Sequence, residues 1–230
     1  MDTSSLKEFI LLIPVILFSL TVHEVSHGYM ADRYGDPTAR ATGRLTLNPI
    51  AHLDPIGTLL LFIAHFGWAK PVMVNPYNLN DPKKDMIWIS LAGPGANFAL
   101  ALVAGIIIRI TLPHLGMIDP SNLLTSSLYS ILILTLQINL ALGLFNLIPI
   151  PPLDGAKVLF GLLPYHMEDK FAWLERYGMV VLLALFVLDS FTPIKIITLL
   201  IWLPADLLSY LFSGRSLFYL LNILSVLLGA

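Results

Sequence analysis

The chain has 230 residues, of which 57% are hydrophobic and 12% charged, with a formal net charge of -2. A soluble globule of this length carries about a quarter of its residues as charges, so the composition excludes one, and a mean hydropathy of +0.80 points to an integral membrane protein. The near-neutral balance gives no basic field for a nucleic-acid partner, and the lack of cysteine removes disulfides, thiolate metal ligands and a cysteine nucleophile together.

About twenty apolar residues cross a bilayer as a helix, and the first run of that length is residues 6–30. Its start carries no basic cluster and it leads into no small-residue cleavage site, so it is expected to be retained and not removed as a secretory signal. Inside it stands His23-Glu24-Val25-Ser26-His27. Two histidines four apart face one side of a helix and can grip one zinc, with the glutamate beside it. With 6 histidines in the chain, the chance expectation of this pattern is about 0.003. A second reading has both imidazoles merely hydrogen-bonding across a helix bundle. Against it stands the cost of ionisable groups in hydrocarbon, which makes them functional more often than not.

After this span the chain turns polar. Residues 38–47, TARATGRLTL, alternate polar and apolar side chains, and Pro71-Val72-Met73-Val74 is a short β-branched run. Two small strands forming a membrane-edge β element are expected there, with an ordinary loop turning at Gly35-Asp36-Pro37 and Asn48-Pro49 as the alternative. His52 and Asp54 form a second polar pair, read either as lying over the site mouth, touching substrate or metal, or as plain loop hydrogen-bonding residues; Asn or Asp before Pro favours the loop role. Residues 56–68 are apolar but too short to cross straight. If they turn back, Arg33, Arg40, Arg44, Lys70, Lys83 and Lys84 fall on one side, and Lys157, Lys170 and Arg176 join them after two further spans. The positive-inside rule then makes the end of the His23–His27 helix cytoplasmic.

The next spans are expected over residues 86–111 and 123–148. The first contains Gly93-Pro94-Gly95-Ala96-Asn97, read as a break, because glycines admit close backbone approach and proline opens a helix at its first turn. The second ends in Asn146-Leu147-Ile148-Pro149-Ile150-Pro151-Pro152-Leu153-Asp154-Gly155, where three prolines must stop the helix. Broken backbone at membrane depth is tolerated where it is buried or lines a wet cavity, so this stretch is suited to present Asp154 inward as a third zinc ligand. Capping of the helix that follows is its competing role. Asn97 and Asn146 become amides at membrane depth, either donors to a substrate carbonyl or oxyanion or simple interhelical hydrogen-bonders. Towards the carboxyl end, residues 177–191 and 194–212 are spans or a tilted pair, and residues 217–230 are short enough to lie in the interface. His65, His114 and His166 lack a partner pattern and are read as structural, and Arg109 as snorkelling to the interface.

HEVSH at 23–27, GPGAN at 93–97 and NLIPIPPLDG at 146–155, in that order on successive spans, resemble the motifs of the site-2 protease family of intramembrane zinc metalloproteases, peptidase family M50. LTLNPIAHLDPIG at 45–57 and KPVMVNP at 70–76 are similar to its compact bacterial subgroup. The resemblance covers residues 6–160. It implies one Zn2+ per chain held by His23, His27 and Asp154, with Glu24 as catalytic base and Asn146 holding substrate. The reaction implied is metal-assisted hydrolysis of a peptide bond in a membrane protein or membrane-associated peptide, in a prokaryotic cytoplasmic membrane with the site toward the cytoplasm. A substrate helix hides its carbonyls in its own hydrogen bonds and must unwind locally, pairing as an added strand with residues 38–47 or 71–74.

The fold expected is thus an all-α polytopic bundle of five to six transmembrane or re-entrant helices, with residues 1–160 as catalytic core and 161–230 as additional membrane helices. Two features depart from the family's larger members: no room for an inserted PDZ domain, and no soluble nucleotide-sensing domain after the core. Rival readings are a membrane metal transporter, which wants polar groups relayed across several spans, a prenyl-protein-type membrane zinc protease taking Glu168 or Glu175 as third ligand, and a non-catalytic scaffold.

Overall fold

A computed structural model describes residues 3–54, 70–112, 122–193 and 195–228. Its elements, in chain order, are helices α1 (Thr3–Arg33), α2 (Thr38–Ala41), α3 (Pro82–Thr111), α4 (Leu123–Asn146), α5 (Asp154–Leu162), α6 (Tyr165–Phe191), α7 (Ile196–Ser213) and α8 (Leu217–Leu228), with 3-10 turns at Pro49–His52 and Pro76–Asn78. Among the described residues, five helices (α1, α3, α4, α6 and α7) are long and apolar enough to cross a membrane, while α8 is shorter. The expected turn-back over residues 56–68 lies outside the described residues.

The chain divides into two compact units. One comprises Met1–Ser19, Asn97–Leu144 and Ile196–Ala230. Its core joins α3, α4, α7 and α8 through Ile108, Ile133, Leu136, Leu140, Ala205 and Leu220, all buried. Glycines let these helices approach closely: a Cβ at Gly143 would meet the Phe98 ring at 2.9 Å, and one at Gly105 the Phe212 Cβ at 2.6 Å. Small residues at such crossings are what apolar helices need in lipid, where packing replaces the hydrophobic drive. The amides of Asn97 and Asn139 lie inside this unit. Asn97 Nδ2 donates to Asn139 Oδ1 at 2.8 Å, and Asn139 Nδ2 donates to Ser19 Oγ at 2.8 Å. Arg109 donates to the Leu211 carbonyl at 3.1 Å, satisfying the carboxyl end of α7, a more specific contact than the expected snorkelling.

The other unit comprises Leu20–Ala96 and Phe145–Lys195 and carries all the candidate ligands. Two expectations fail in it. No β-strand forms among its described residues. In place of the expected first strand, Asp36 Oδ1 accepts from Thr38 N at 3.1 Å and starts the short helix α2 behind Pro37, a proline position that suits a helix start. Gly43, at φ +69°, ends it, with Arg44 N bonded back to Ala39 O at 2.8 Å. Residues 70–75 have no helical assignment, but their N–H groups go to side chains and a loop carbonyl: Lys70 N to His52 O at 2.8 Å, Val72 N to Glu24 Oε2 at 2.8 Å, Asn75 N to Asp36 Oδ2 at 2.7 Å.

The second failure is the break expected at Gly93-Pro94-Gly95. α3 runs unbroken through Pro94. Proline removes the N–H that would bond the Ser90 carbonyl and crowds that turn, but neighbouring groups can re-satisfy a membrane helix. The adjacent Ile89 carbonyl accepts from His27 Nδ1 at 2.7 Å. The three-proline stretch does stop a helix as expected: α4 ends at Asn146 and α5 starts at Asp154. Between them, tight turns (Ile148 N to Phe145 O, Ile150 N to Ile148 O, Leu153 N to Ile150 O) reverse the chain.

Candidate metal centre

On α1 the side chains of His23 and His27, four residues apart, meet edge to face with ring centroids 4.6 Å apart. Both are buried. The bond from His27 Nδ1 to the Ile89 carbonyl requires Nδ1 to carry the proton, since a carbonyl only accepts, so Nε2 presents a lone pair. A fixed tautomer of this kind is how a metal-ligating imidazole is commonly held. His27 Nε2 lies 3.0 Å from His23 Nε2 and 3.0 Å from Asp154 Oδ2, and His23 Nε2 lies 3.2 Å from the same oxygen. Two acceptors at that distance, a neutral imidazole nitrogen and a carboxylate oxygen, need a cation or a proton between them.

The triangle fits zinc. Tetrahedral zinc with ligand bonds of about 2.0–2.1 Å separates its ligand atoms by about 3.3 Å, and the three sides are 3.0–3.2 Å. Among the described residues, His23, His27 and Asp154 are the group whose donors converge in this way. The donor set, two nitrogens and one oxygen from three side chains, leaves a fourth position as catalytic zinc sites do.

Two glycines shape the space. A Cβ on Gly93 of α3 would lie 2.4 Å from His27 Nε2 and 2.6 Å from His23 Cε1. A Cβ on Gly155 would lie 2.2 Å from the Leu147 carbonyl oxygen, so only glycine lets α5 start where its first residue, Asp154, reaches the histidines. The carboxylate of Asp154 is divided between two partners: Oδ2 faces both imidazoles, and Oδ1 accepts from Lys157 Nζ at 3.0 Å.

Glu24 sits next to the ligand His23, and its Oε2 accepts from Val72 N at 2.8 Å. Val72 is itself buried, and its Cγ1 would be 3.1 Å from a Cβ on Gly28, so the KPVMV segment lies directly on the helix turn that carries the glutamate. Further along, Asp36, fully buried, accepts from Asn75 N, Asn78 Nδ2 and Thr38 N at 2.7–3.1 Å. Burial alone would push its pKa up, but the Thr38 hydroxyl, the largest opposing donor, together with Asn78 Nδ2 and the Asn75 and Thr38 amides, outweighs burial and holds it below the usual carboxylate value.

The remaining sequence candidates fall as follows. Asn146 closes α4, eight residues before Asp154 and in the same unit, and is not a corner of the triangle. Asn97 commits its amide nitrogen to Asn139 and Ser19. His52, buried in its 3-10 turn, donates from Nε2 to the Thr46 carbonyl at 2.9 Å, a loop bond, and neither it nor Asp54 joins the metal group. Glu168 pairs with Lys83, and Glu175 is exposed on α6. Neither takes the place of Asp154. His166 is exposed near the start of α6; His65 and His114 lie outside the described residues. Sequence reasoning missed Lys157, whose placement one helical turn after Asp154 was a usable signal, and the Val72 N–H and Ile89 carbonyl, which as backbone groups leave no trace in residue type.

Comparison with known proteins points to a zinc metalloprotease. The model of peptidase family M50 matches residues 106–188. YwhC of Bacillus subtilis, named as a zinc metalloprotease, is 41% identical over 176 residues, covering 76% of this chain and 80% of its own length. Rip2 of Mycobacterium tuberculosis H37Rv, similarly named, is 31% identical over 184 residues, covering 77% of this chain and 67% of its own. MJ0611 of Methanocaldococcus jannaschii, also so named, is 32% identical over 155 residues, covering 67% and 72%. No solved structure matches the chain.

Proposed function

Taking as premise that the chain belongs to peptidase family M50, the site-2 proteases, we propose that His23, His27 and Asp154 hold the zinc of this intramembrane metalloprotease and that Glu24 is its proton carrier. That the protein is an integral membrane zinc protease follows from the family and the five apolar helices; the residue roles are our reading. The observation that carries it is the triangle of His23 Nε2, His27 Nε2 and Asp154 Oδ2, 3.0–3.2 Å on each side and buried.

Zinc in this set supplies an acidified water and a polarised carbonyl. The protein's own part is positioning and proton transfer. Glu24 is next in sequence to one ligand, and its Oε2 is tied to Val72 N, which fixes the carboxylate plane and leaves Oε1 to take the proton from the nucleophile and return it to the leaving amine. Asn146, on the chain reversal that delivers Asp154, holds substrate backbone through its amide. The substrate is a transmembrane or membrane-associated polypeptide, unwound locally so that its carbonyls are free. The concentration of Lys and Arg in residues 33–84 supports a site that faces the cytoplasm, in keeping with a prokaryotic cytoplasmic membrane.

The test is Glu24→Gln beside Asp154→Ala, reconstituted with a helical membrane substrate. Glu24→Gln is expected to keep its zinc and lose cleavage by about 10²–10⁴-fold, whereas Asp154→Ala loses both. Undiminished turnover in Glu24→Gln removes the assigned base, and full zinc in Asp154→Ala removes the assigned ligand.

A further inference from the structure

We propose that Lys157 is a positioning residue of the metal centre, holding Asp154 as a one-oxygen ligand by occupying the carboxylate oxygen that faces away from the histidines. The proposal rests on the reading that His23, His27 and Asp154 bind zinc. The two oxygens of Asp154 have separate partners. Oδ2 lies 3.2 Å and 3.0 Å from the two imidazole nitrogens, and Oδ1 lies 3.0 Å from Lys157 Nζ. A carboxylate free at both oxygens can swing to offer either or both to a cation. With an ammonium on Oδ1 the rotation about the Cβ–Cγ bond is stopped, and zinc keeps the low coordination number on which an open catalytic position depends. Partners behind the first ligands hold ligand orientation in this way in other metal sites.

Local structure argues that the lysine is there for this purpose. Lys157 falls in the first turn of α5, where the helix dipole favours acidic residues and disfavours a cation, so helix formation does not explain it. Nor does burial. Its side chain is 49% exposed whereas that of Asp154 is 7% exposed, so the ammonium reaches inward from an exposed face to meet a carboxylate shielded from water. That exposed face is a cleft of about 870 Å3, also lined by Lys83, Tyr165, Glu168 and Glu175. Shortening or neutralising the lysine therefore opens no hole in the apolar core, and the fold is expected to survive it.

The experiment measures zinc affinity by chelator competition on the full-length protein in detergent, with Lys157→Met, Lys157→Arg and Asp154→Ala compared with the unaltered chain. Lys157→Met, of like length and uncharged, is expected to weaken zinc by about 10–100-fold, and Lys157→Arg, which keeps charge and donors, to recover most of that loss. Cobalt substitution gives a second reading: in Lys157→Met the visible absorption of bound cobalt is expected to fall in intensity as Oδ1 joins the metal and the coordination number rises. If Lys157→Met binds zinc as the unaltered chain does and gives the same cobalt spectrum, while Asp154→Ala loses the metal, the role of Lys157 is overturned and the ligand assignment stands. If Asp154→Ala also keeps its metal, the ligand assignment itself has failed, and this inference with it.

Discussion

Replacing Gly93 by alanine tests the site through a residue that carries no functional group. The added methyl would stand 2.4 Å from His27 Nε2, and ordinary contact begins near 3.4 Å, so one or both imidazoles must move by about 1 Å. A zinc site tolerates ligand distances within about 0.2 Å of ideal, and the required shift is about five times that. The ring of His27 has little freedom to retreat, being fixed by the 2.7 Å bond to the Ile89 carbonyl on the same helix that carries the glycine. Overpacking of this kind costs about 1–3 kcal/mol in stability, which a membrane helix bundle can absorb, whereas displacing a ligand is expected to weaken zinc by at least about 100-fold. Zinc per chain after dialysis against a weak chelator measures the effect, with a detergent melting curve to show that the protein is folded. Gly95→Ala is the matched control: a Cβ there meets nothing within 4 Å, so metal and cleavage should be unchanged. Full zinc in folded Gly93→Ala would refute the placement of the imidazoles against this helix.

Asp36→Ala removes the acceptor that holds Asn75 N, Asn78 Nδ2 and Thr38 N; it is expected to cost about 2 kcal/mol, to speed proteolytic nicking of residues 70–78 and to slow cleavage while zinc content is kept. Because the folded pKa of Asp36 lies below its unfolded value of 3.8, its stabilising effect is complete above that value and is lost as pH falls through it toward the folded pKa. Acid melts of Asp36→Asn should therefore depend less steeply on pH in that window than those of the unaltered chain. Asn97→Ala deletes the donor to Asn139 Oδ1 inside the other unit and is expected to destabilise by about 1–3 kcal/mol with turnover per bound zinc unchanged. Paired with Asn139→Ala it should cost less than the two single losses added, and a strongly reduced turnover in folded, zinc-replete Asn97→Ala would restore it as a substrate or oxyanion donor.

Long apolar runs were the most legible part of the sequence. The helices α1, α3 and α4 begin and end within a few residues of the expected spans, because twenty apolar residues in a row have one economical solution in lipid. Helix α6 was read as starting at residue 177 but begins at Tyr165, since its first turns carry Glu168, Asp169, Lys170, Glu175 and Arg176, and a charged stretch looks like solvated loop until tertiary structure extends the helix beyond the apolar run. The absent β element and the unbroken α3 have different causes. Alternation in TARATGRL is overridden from within the loop, where Asp36 accepts the Thr38 amide two residues on, whereas α3 continues through Pro94 because the loss of one intrahelical bond is tolerated in a long membrane helix. Asp36-Pro37-Thr38 carries the local signal of a helix start at α2. As for the site, residue types and spacing pointed to His23, Glu24, His27 and Asp154. What they could not express was the division of labour between the oxygens of Asp154, or the backbone amide of Val72 on Glu24, because both depend on where two distant segments come to rest.

The corner at Asp154 stands 131 positions downstream of the one at His23. A ribosome adding about 5–20 residues per second therefore takes roughly 7–26 seconds to go from the first corner to the last, with more delay before residue 154 clears the exit tunnel. Throughout that interval the emerging polypeptide has its glutamate but no complete cage for a cation. On the ligand assignment proposed above, each newly made copy inserts into the bilayer inert, and cutting can begin only once the greater part of the translation is over.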